Sequence, residues 1–246
     1  MRPKKCWHGW GGTTLGGAVS FNMMLSIIVP VRNEALALPA LLAQLLPLSR
    51  HGCEVLFVDG GSTDASVAMI ECAGFKVVHS LPGRARQMNA AAARANGQTL
   101  LFLHADTGFP PGASDCIDQA LSGGLHCWGR FDVCISGRHW MLRIVGLMMN
   151  LRSRWSGIAT GDQAMFMTRA AFESVGGFPD QPLMEDIELS KRLLGLSRPA
   201  CISHCVTTSG RRWETRGVWH TIFLMWRLRW AYWRGVPVDL LASAYQ

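Results

Sequence analysis

The sequence predicts one α/β domain, in which helices cover both faces of a mostly parallel sheet. Two observations lead to this fold. From Leu25 onward, short apolar runs of strand length alternate with helix-length patterns, an order that is typical of parallel sheets with crossover helices. The chain has 246 residues, of which 49% are hydrophobic, and a chain of this size can bury one sizeable core without dividing.

The elements of the first half follow in a regular order. A helix is expected from Ala65 to Cys72, with Ser62 or Thr63 as its N-cap, and an alanine-rich helix from Arg84 to Ala95, closed by a turn at Asn96. Ligands of such sheets bind at the carboxyl ends of the strands. The expected strands are Leu25–Val31, Glu54–Val58, Phe75–His79 and Leu100–His104.

In the second half of the chain the regular alternation of strands and helices ends, and no linker divides this half from the first. We expect residues 198–246 to form a basic, tryptophan-rich element of amphipathic helices, and residues 1–22 to form a disordered leader to a single domain over 23–246. No apolar run is long enough to span a membrane. The other expected elements are helices at Ala113–Leu121, Arg138–Arg154 and Glu185–Leu194 and strands at Trp128–Ile135 and Ala164–Thr168.

The composition narrows the choice of partners. A formal net charge of +7 fits a nucleotide diphosphate, an acidic membrane surface or nucleic acid. The eight cysteines include no Cys-x-x-Cys pair, so we expect reduced, buried thiols. Cys201, His204 and Cys205 have no second pair with zinc-type spacing. We therefore expect a strand at this point, with His204 in the core.

Acidic residues stand where strands end or helices begin. Asp59 and Asp106 each follow a predicted strand, and Glu185 and Asp186 open a predicted helix. These positions converge on one cleft in a parallel sheet. Carboxylate oxygens there suit Mg²⁺ or Mn²⁺ together with substrate phosphates, and another carboxylate then remains free to act as a base.

An ordered set of motifs resembles the family 2 glycosyltransferases and covers the chain from Leu25 to about Gly235. The set is particularly similar to a soluble bacterial subgroup of the arsenosugar-biosynthesis type, associated with radical-SAM and selenium-domain genes. The motifs are SIIVPVRNE at 26–34, VDGGSTD at 58–64, GRARQMN at 83–89, FLHADT at 102–107, GDQ at 161–163, GGFP at 176–179, MEDIEL at 184–189 and SGRRWE at 209–214.

The resemblance implies a GT-A fold, a three-layer α/β/α sandwich with a mostly parallel central sheet. It also implies an inverting enzyme that moves one sugar from a nucleotide-diphosphate sugar to an acceptor hydroxyl. Asp186 matches the general base. Glu185 beside it either assists or is a first-turn helix charge.

The same resemblance assigns the metal and the donor. Asp106 matches the last acid of the Asp-x-Asp metal motif. His104 replaces the first acid, and it is either an imidazole ligand, which suits Mn²⁺ better than Mg²⁺, or a wall residue. Asp64 is expected to be structural. The positions implied to bind the nucleotide sugar are Pro30, Arg32, Glu34, Asp59, Gly60, Arg84, Arg86, Asn89, Ala105, Asp162, Gln163, Arg211 and Arg212.

The C-terminal stretch leaves two interpretations open. From Arg198 to Arg234 there are seven arginines and one acid, Glu214, among many tryptophans. This mixture suits a membrane interface and a lipid acceptor, but tryptophans at helical spacing also occur in cores. We expect a cytoplasmic protein, and peripheral contact with the inner face of the membrane remains open.

Two other functions compete with the enzyme. An RNA-binding module would use basic and aromatic residues, but no RNP motif is present, so nucleic acid is not the expected partner. A nucleotidyltransferase would share the α/β architecture and the metal. Its glycine-rich loop with a lysine is missing after Leu25–Val31.

Overall fold

The computed structural model describes residues 24–245, so the leader expected over residues 1–22 lies outside the described part of the chain. One sheet runs through the described residues in the strand order β3-β2-β1-β4-β7-β6-β8-β5. Its strands are β1 Leu25–Val31, β2 Glu54–Asp59, β3 Lys76–His79, β4 Thr99–Phe102, β5 Thr107–Gly108, β6 Trp128–Ser136, β7 Met165–Thr168 and β8 Ala200–Ser209.

Helices connect the strands, and three more follow the last strand. A single 3-10 turn, Gly161–Gln163, precedes β7. The helices are α1 Leu38–Arg50, α2 Ser66–Cys72, α3 Arg84–Ala92, α4 Ala113–Ser122, α5 Met141–Ser156, α6 Arg169–Ser174, α7 Glu185–Leu194, α8 Arg211–Arg216, α9 Val218–Trp233 and α10 Val238–Tyr245.

The sheet is mostly parallel, as predicted. β1 lies between β2 and β4, β2 also pairs with β3, and all three pairings are parallel. β7 runs antiparallel to β4 and β6, whereas β8 is parallel to β6. Because β1, β2 and β4 run in the same direction, their carboxyl ends lie at one edge.

Two cores, one on each face of the sheet, make the three-layer arrangement. One core joins inward residues of the strands to α1, α2 and α4 through Leu45, Ile70 and Ile117. The other joins the opposite face to α3 and α7 through Met88 and Leu189. β1 is buried along its whole length, which explains why its sequence is apolar at every position except Ser26.

The predicted elements are confirmed to within three residues, and the alanine-rich helix, which ends at Ala92, is among those that differ most. Three other expectations are wrong. β8 occupies Ala200–Ser209, so the helical part of the C-terminal element begins at Arg211. None of the seven described cysteines is buried, although all are free thiols. His204 is exposed and not a core residue, since it lies on β8 in a partly exposed stretch.

The loop that follows β2 also differs from the prediction. Neither Ser62 nor Thr63 caps α2, whose N-cap residue is Ala65. Instead, the Ser62 hydroxyl accepts a hydrogen bond from the Asn33 N–H, and the Thr63 N–H donates to Asn33 Oδ1 at 2.8 Å. The polar residues of this loop therefore hold the loop after β1.

The C-terminal helices have two kinds of surface. Thr221 and Leu228 of α9 and Leu241 of α10 are buried, whereas Trp219, Trp226, Trp230 and Trp233 are each more than half exposed. Core packing of these four tryptophans is therefore excluded. No helix in the described chain combines the length and the apolarity that a membrane span would need.

Candidate active site

Three neighbouring cavities meet at Asp106, at the sheet edge where β1 and β4 end. The central one, which we call the cleft, has a volume of about 300 Å³. The second, of about 280 Å³, lies beside the end of β1, and the third, of about 370 Å³, lies against α1. Of the residues expected in the site, those on the wall of the cleft are Glu34, Arg84, His104, Asp106, Asp162, Glu185, Asp186, Arg211 and Arg212.

The second cavity brings in the residues at the end of β1. Pro30, Arg32 and Ala105 line it, together with Glu34 and Asp106. These are positions for which the sequence implied contact with a nucleotide. The two cavities share the residues between them, so one elongated ligand can extend from the end of β1 into the cleft.

The 3-10 turn Gly161–Gln163 links the two halves of the cleft. The N–H of Gly161 donates to Asp186 Oδ2 at 2.8 Å, and Asp162 Oδ1 lies 3.2 Å from His104 Nδ1. Burial raises the pKa of Asp162, but the hydrogen bond and the charge of His104 outweigh burial and lower it overall. The turn thereby fixes the end of β4 relative to the start of α7.

Glu185 and Asp186 lie side by side at the start of α7, and both line the cleft. Asp186 Oδ1 also accepts the N–H of Ile187 at 2.7 Å, so this carboxylate has a fixed orientation. Glu185 is buried. Burial and the neighbouring charge of Asp186 raise the pKa of Glu185.

Glu34 presents an unmet hydrogen-bond acceptor to the ligand space. Its backbone N–H donates to the Ser66 hydroxyl at 2.9 Å, which fixes the loop. Its Oε2 is buried and accepts no hydrogen bond from any described residue. Burial and the charge of Asp106 raise its pKa. Either a ligand hydroxyl or a bound cation would satisfy this oxygen.

Asp106 is suited to a divalent cation. Its carboxylate lines all three cavities, and its one described side-chain hydrogen bond is a long one of 3.5 Å from Thr107. No group of three or more metal-binding side chains occurs among residues 24–245. One or two carboxylates with substrate phosphates suffice for Mg²⁺, so Asp106 and the unmet oxygen of Glu34 fit such an ion.

His104 does not fit as a metal ligand in this arrangement. Its Nδ1 is engaged by Asp162. Its Nε2 packs so closely against Gly161 that a Cβ added to that glycine would lie 2.4 Å away. A metal needs a nitrogen lone pair directed into open space. Of the two roles that the sequence left open, the wall residue is the one that the geometry supports.

Four arginines line the cleft, and they differ in how firmly other residues hold their side chains. Desolvation in the cleft would lower the pKa of Arg84, but the charges of Glu185 and Asp162 outweigh it and raise this pKa overall. Arg211 Nη2 lies 3.8 Å from Glu34 Oε2. Arg212 donates to the Tyr245 carbonyl, and its guanidinium lies 3.6 Å from the centre of the Tyr245 ring. Arg211, whose contact with Glu34 is a long one, is able to turn toward an anion, whereas Arg212 holds α10 over the cleft.

Asp59 and Gly60 are not brought to the walls of the cleft. The Asp59 carboxylate is buried and accepts the N–H groups of Gly61 and Ser62 at 3.0 and 2.9 Å, so it shapes the turn after β2. A Cβ on Gly60 would lie 2.8 Å from Gln87, so this glycine allows close packing. The implied nucleotide contacts of both residues lack support in this arrangement.

Three further residues of the implied site are engaged elsewhere. Arg86 pairs with Asp180 at 2.7 Å on an outer surface. Asn89 donates to the carbonyl of Phe178 and accepts its N–H, which fixes the loop after α6. Gln163 is fully buried in a capping box with Thr160. Each of these side chains supports a neighbouring loop.

Sequence reasoning missed the contribution of the C-terminal helices. Thr221, Met225 and Arg229 of α9 and Tyr245 of α10 line the cleft. The three α9 residues are spaced by four, which places them on one helix face. That spacing was readable in the sequence, but nothing in it indicated that the face returns to β1 and β4.

The family model of glycosyl transferase family 2 matches residues 26–173. No curated protein matches the sequence significantly. Among solved structures, Staphylococcus aureus TarS 1–349 in complex with UDP-GlcNAc aligns with a TM-score of 0.63 and 18% identity, covering 76% of this chain and 58% of that chain. The chain therefore spans less than two thirds of that structure.

Two other similar structures contain Mn²⁺. The mannosyltransferase PcManGT from Pyrobaculum calidifontis, in complex with GDP-Man and Mn²⁺, aligns with a TM-score of 0.59 and 21% identity over 84% of this chain and 60% of that chain. Glucosyl-3-phosphoglycerate synthase from Mycobacterium tuberculosis, in complex with Mn²⁺, UDP and phosphoglyceric acid, aligns with a TM-score of 0.57 and 18% identity. This alignment covers 75% of this chain and 69% of that chain.

At these identities the structural likeness establishes the fold, which is of the GT-A kind. The family match is independent of the fold comparison and covers more than half of the chain. The chain belongs to glycosyl transferase family 2.

Proposed function

We propose that this protein is a divalent-metal-dependent, inverting glycosyltransferase that moves one sugar from a nucleoside-diphosphate sugar to an acceptor hydroxyl. The observation that carries the proposal is the shared cleft, in which Asp106 and Asp186 line one cavity together with Arg84 and Arg211. The neighbours that bind UDP or GDP sugars support the donor class.

The charge balance of the cleft favours a cation beside the donor. Five acids and four arginines are among its described lining residues, so a diphosphate would enter a space with no excess of positive charge. The acids are Glu34, Asp106, Asp162, Glu185 and Asp186. A divalent ion held by Asp106, with the unmet oxygen of Glu34 nearby, would supply positive charge to the diphosphate.

Side chains of the cleft would accept the proton and stabilise the negative charge of the departing diphosphate. Asp186, fixed by the N–H of Gly161, accepts the proton of the acceptor hydroxyl as its oxygen bonds to the anomeric carbon. The bond from that carbon to the diphosphate oxygen breaks on the opposite side, so the configuration inverts. Arg211 lies at the cleft wall, where a guanidinium stabilises the departing diphosphate.

Two substitutions separate binding from chemistry. Asp186→Asn should abolish transfer and slow donor hydrolysis at least about 100-fold while donor affinity stays within about threefold, because a lost general base affects the reaction and not ground-state binding. Asp106→Asn should weaken Mn²⁺-dependent donor binding. Asp115→Asn, on the exposed surface of α4, is the matched control.

Isothermal titration with UDP- and GDP-sugars in Mn²⁺, followed by a hydrolysis assay, measures both effects. Full turnover in Asp186→Asn would show that another residue is the base. Binding of RNA without any nucleotide sugar would favour an RNA-binding module. Release of pyrophosphate from a nucleoside triphosphate would favour a nucleotidyltransferase.

The subgroup and the cellular location of the protein are part of the same proposal. Its ordered motifs resemble those of the arsenosugar-biosynthesis-type subgroup, and we propose that it belongs there. The seven described cysteines are free, and free thiols are typical of the reducing cytoplasm, which supports a cytoplasmic location.

A further inference from the structure

An exposed aromatic stripe runs along α9. Its members are 57% to 77% exposed and follow one another at intervals of four and three residues, which keeps them on one helix face. Soluble proteins rarely expose a continuous apolar surface of this kind unless it binds something. The stripe consists of Trp219, Phe223, Trp226, Trp230 and Trp233.

A second exposed apolar stripe runs along α5 and its N-cap residue. Trp140 and Trp155 stand at its two ends, with aliphatic side chains between them. Met141 and Leu142 of α5 share a small buried cluster with Val218 of α9, so the two stripes lie on adjoining helices. The members between the tryptophans are Ile144, Leu147, Met148 and Leu151. We call the two stripes together the tryptophan face.

The charged side chains of the two helices have one sign. Neither α5 nor α9 contains an acidic residue. Arg143 and Arg227 are exposed and form no ion pair with any residue that the structure describes. Arg234, directly after α9, lies 5.0 Å from the centre of the Trp230 ring. An apolar surface with a basic surround matches a partner that is apolar and acidic.

Acidic lipid bilayers have both properties, and the other candidates fit less well. A second copy of the chain would bring equal positive charge to a symmetric interface. RNA stacks on aromatic rings, but the aliphatic residues of the α5 stripe offer it no stacking surface. Tryptophan and arginine are also the residues that prefer the headgroup region of a membrane.

We infer that the tryptophan face docks the protein on membranes that contain acidic lipids. α5 and α9 have 16 residues each, so each would lie in the interface rather than cross the bilayer. Docking would place the exposed rings at headgroup depth and the arginines next to lipid phosphates.

The same helix α9 connects this face to the cleft. Thr221, Met225 and Arg229 line the cleft, and at 3.6 residues per turn the aromatic stripe lies about 120° around the helix from them. The cleft wall and the docked surface would therefore be separated by about 10 Å, the width of one helix. If the proposed glycosyl transfer is right, the acceptor hydroxyl belongs to a lipid or to a molecule held at the lipid surface.

Cosedimentation of the full chain with extruded vesicles tests docking directly. We expect binding to phosphatidylcholine vesicles with 30% phosphatidylglycerol to be at least about tenfold stronger than to pure phosphatidylcholine, because each arginine near an anionic surface strengthens binding roughly fivefold. Trp226→Ser with Trp230→Ser should weaken binding to the acidic vesicles at least about tenfold. Leu125→Ser, 74% exposed outside the tryptophan face, should not change it.

A second variant tests the charge separately. Arg143→Glu with Arg227→Glu should remove most of the preference for acidic vesicles and leave the apolar stripes intact. Circular dichroism and Mn²⁺-dependent UDP binding verify that each variant is folded. Donor binding at the wild-type level with lost vesicle binding is the result we expect, since neither pair belongs to the cleft.

Two outcomes would overturn the inference. One is equal sedimentation of wild type and both variants. The other is that the wild-type protein does not bind vesicles but forms a dimer in analytical ultracentrifugation, and that Trp226→Ser with Trp230→Ser dissociates this dimer. Failure of the proposed function is distinguishable, because it would show as lost donor binding in wild-type protein that still binds vesicles.

Discussion

Replacing Gly161 with alanine tests how the cleft is held together. A Cβ at this position would lie 2.4 Å from His104 Nε2, whereas ordinary contacts begin near 3.4 Å. The His104 ring would have to move by about 1 Å. The ring is buried and bonded to Asp162, so it cannot move without disturbing that pair.

The expected cost follows from this geometry. Overpacking by one methyl group in a filled site costs about 1–3 kcal/mol, and we expect the free energy of unfolding to fall by that amount. The N–H of Gly161 also holds Asp186. A displacement of the proposed base by about 1 Å can lower turnover roughly 100-fold. Donor hydrolysis should therefore fall more than donor affinity does.

Urea unfolding and a donor hydrolysis assay measure the two effects. Gly123→Ala is the control, because a Cβ there meets nothing within 4 Å. A double variant with His104→Ala removes the clashing ring, so it should recover about 1–2 kcal/mol relative to the sum of the single variants. If Gly161→Ala behaved like Gly123→Ala, the turn would not position the cleft in the way we describe.

The remaining predictions concern the acids and the metal. Asp59→Ala should lower the free energy of unfolding by about 2 kcal/mol, since two backbone N–H groups lose a charged acceptor, and donor titration of the folded variant will show whether this residue also binds nucleotide. The pKa of Glu185 is raised above its ordinary 4.5, so ionisation of this carboxyl destabilises the fold as the pH rises above that value. Glu185→Gln should therefore be more stable than wild type in thermal unfolding at pH 8, and the difference in stability should shrink toward pH 4. Chelation of divalent ions by EDTA should weaken UDP binding at least about tenfold, and restored binding on addition of Mn²⁺ is the control; unchanged binding in EDTA would count against a metal.

The fold was accessible to sequence reasoning because the strongest signals are local. β1 is buried along its length and is apolar at every position except Ser26, and α7 begins at Glu185 and ends at Leu194 as its amphipathic pattern predicts. The position of Asp106 follows from the same logic, since the parallel strand β4 ends at this edge of the sheet. Asp186 lies at the start of α7, and the tertiary structure brings it to the same cleft.

The roles of individual polar side chains were less accessible. Asn89, Gln163 and Asp59 all occur in motifs that imply contact with nucleotide sugar, yet each is hydrogen-bonded within the protein. Asn89 and Asp59 bind backbone groups of loops, and Gln163 binds Asn150 of α5. A carboxamide or carboxylate offers the same atoms to a ligand and to a peptide group. Only the partners brought by the tertiary structure decide between them.

Backbone strain at the edge of the cleft connects the C-terminal helices to the proposed chemistry. Met184 and Ala164 have positive φ values of 63° and 46°, a conformation that costs about 1–2 kcal/mol for residues of this type. Such strain persists only where the surroundings enforce it. Met184 is buried in one cluster with Ile187 of α7, Leu228 of α9 and Leu241 of α10, so packing against the last two helices offsets the strain immediately before Glu185 and Asp186. The helices that close the cleft therefore also hold the proposed base in position. A displacement of α9 on a membrane would change the packing around Met184 and so the position of α7.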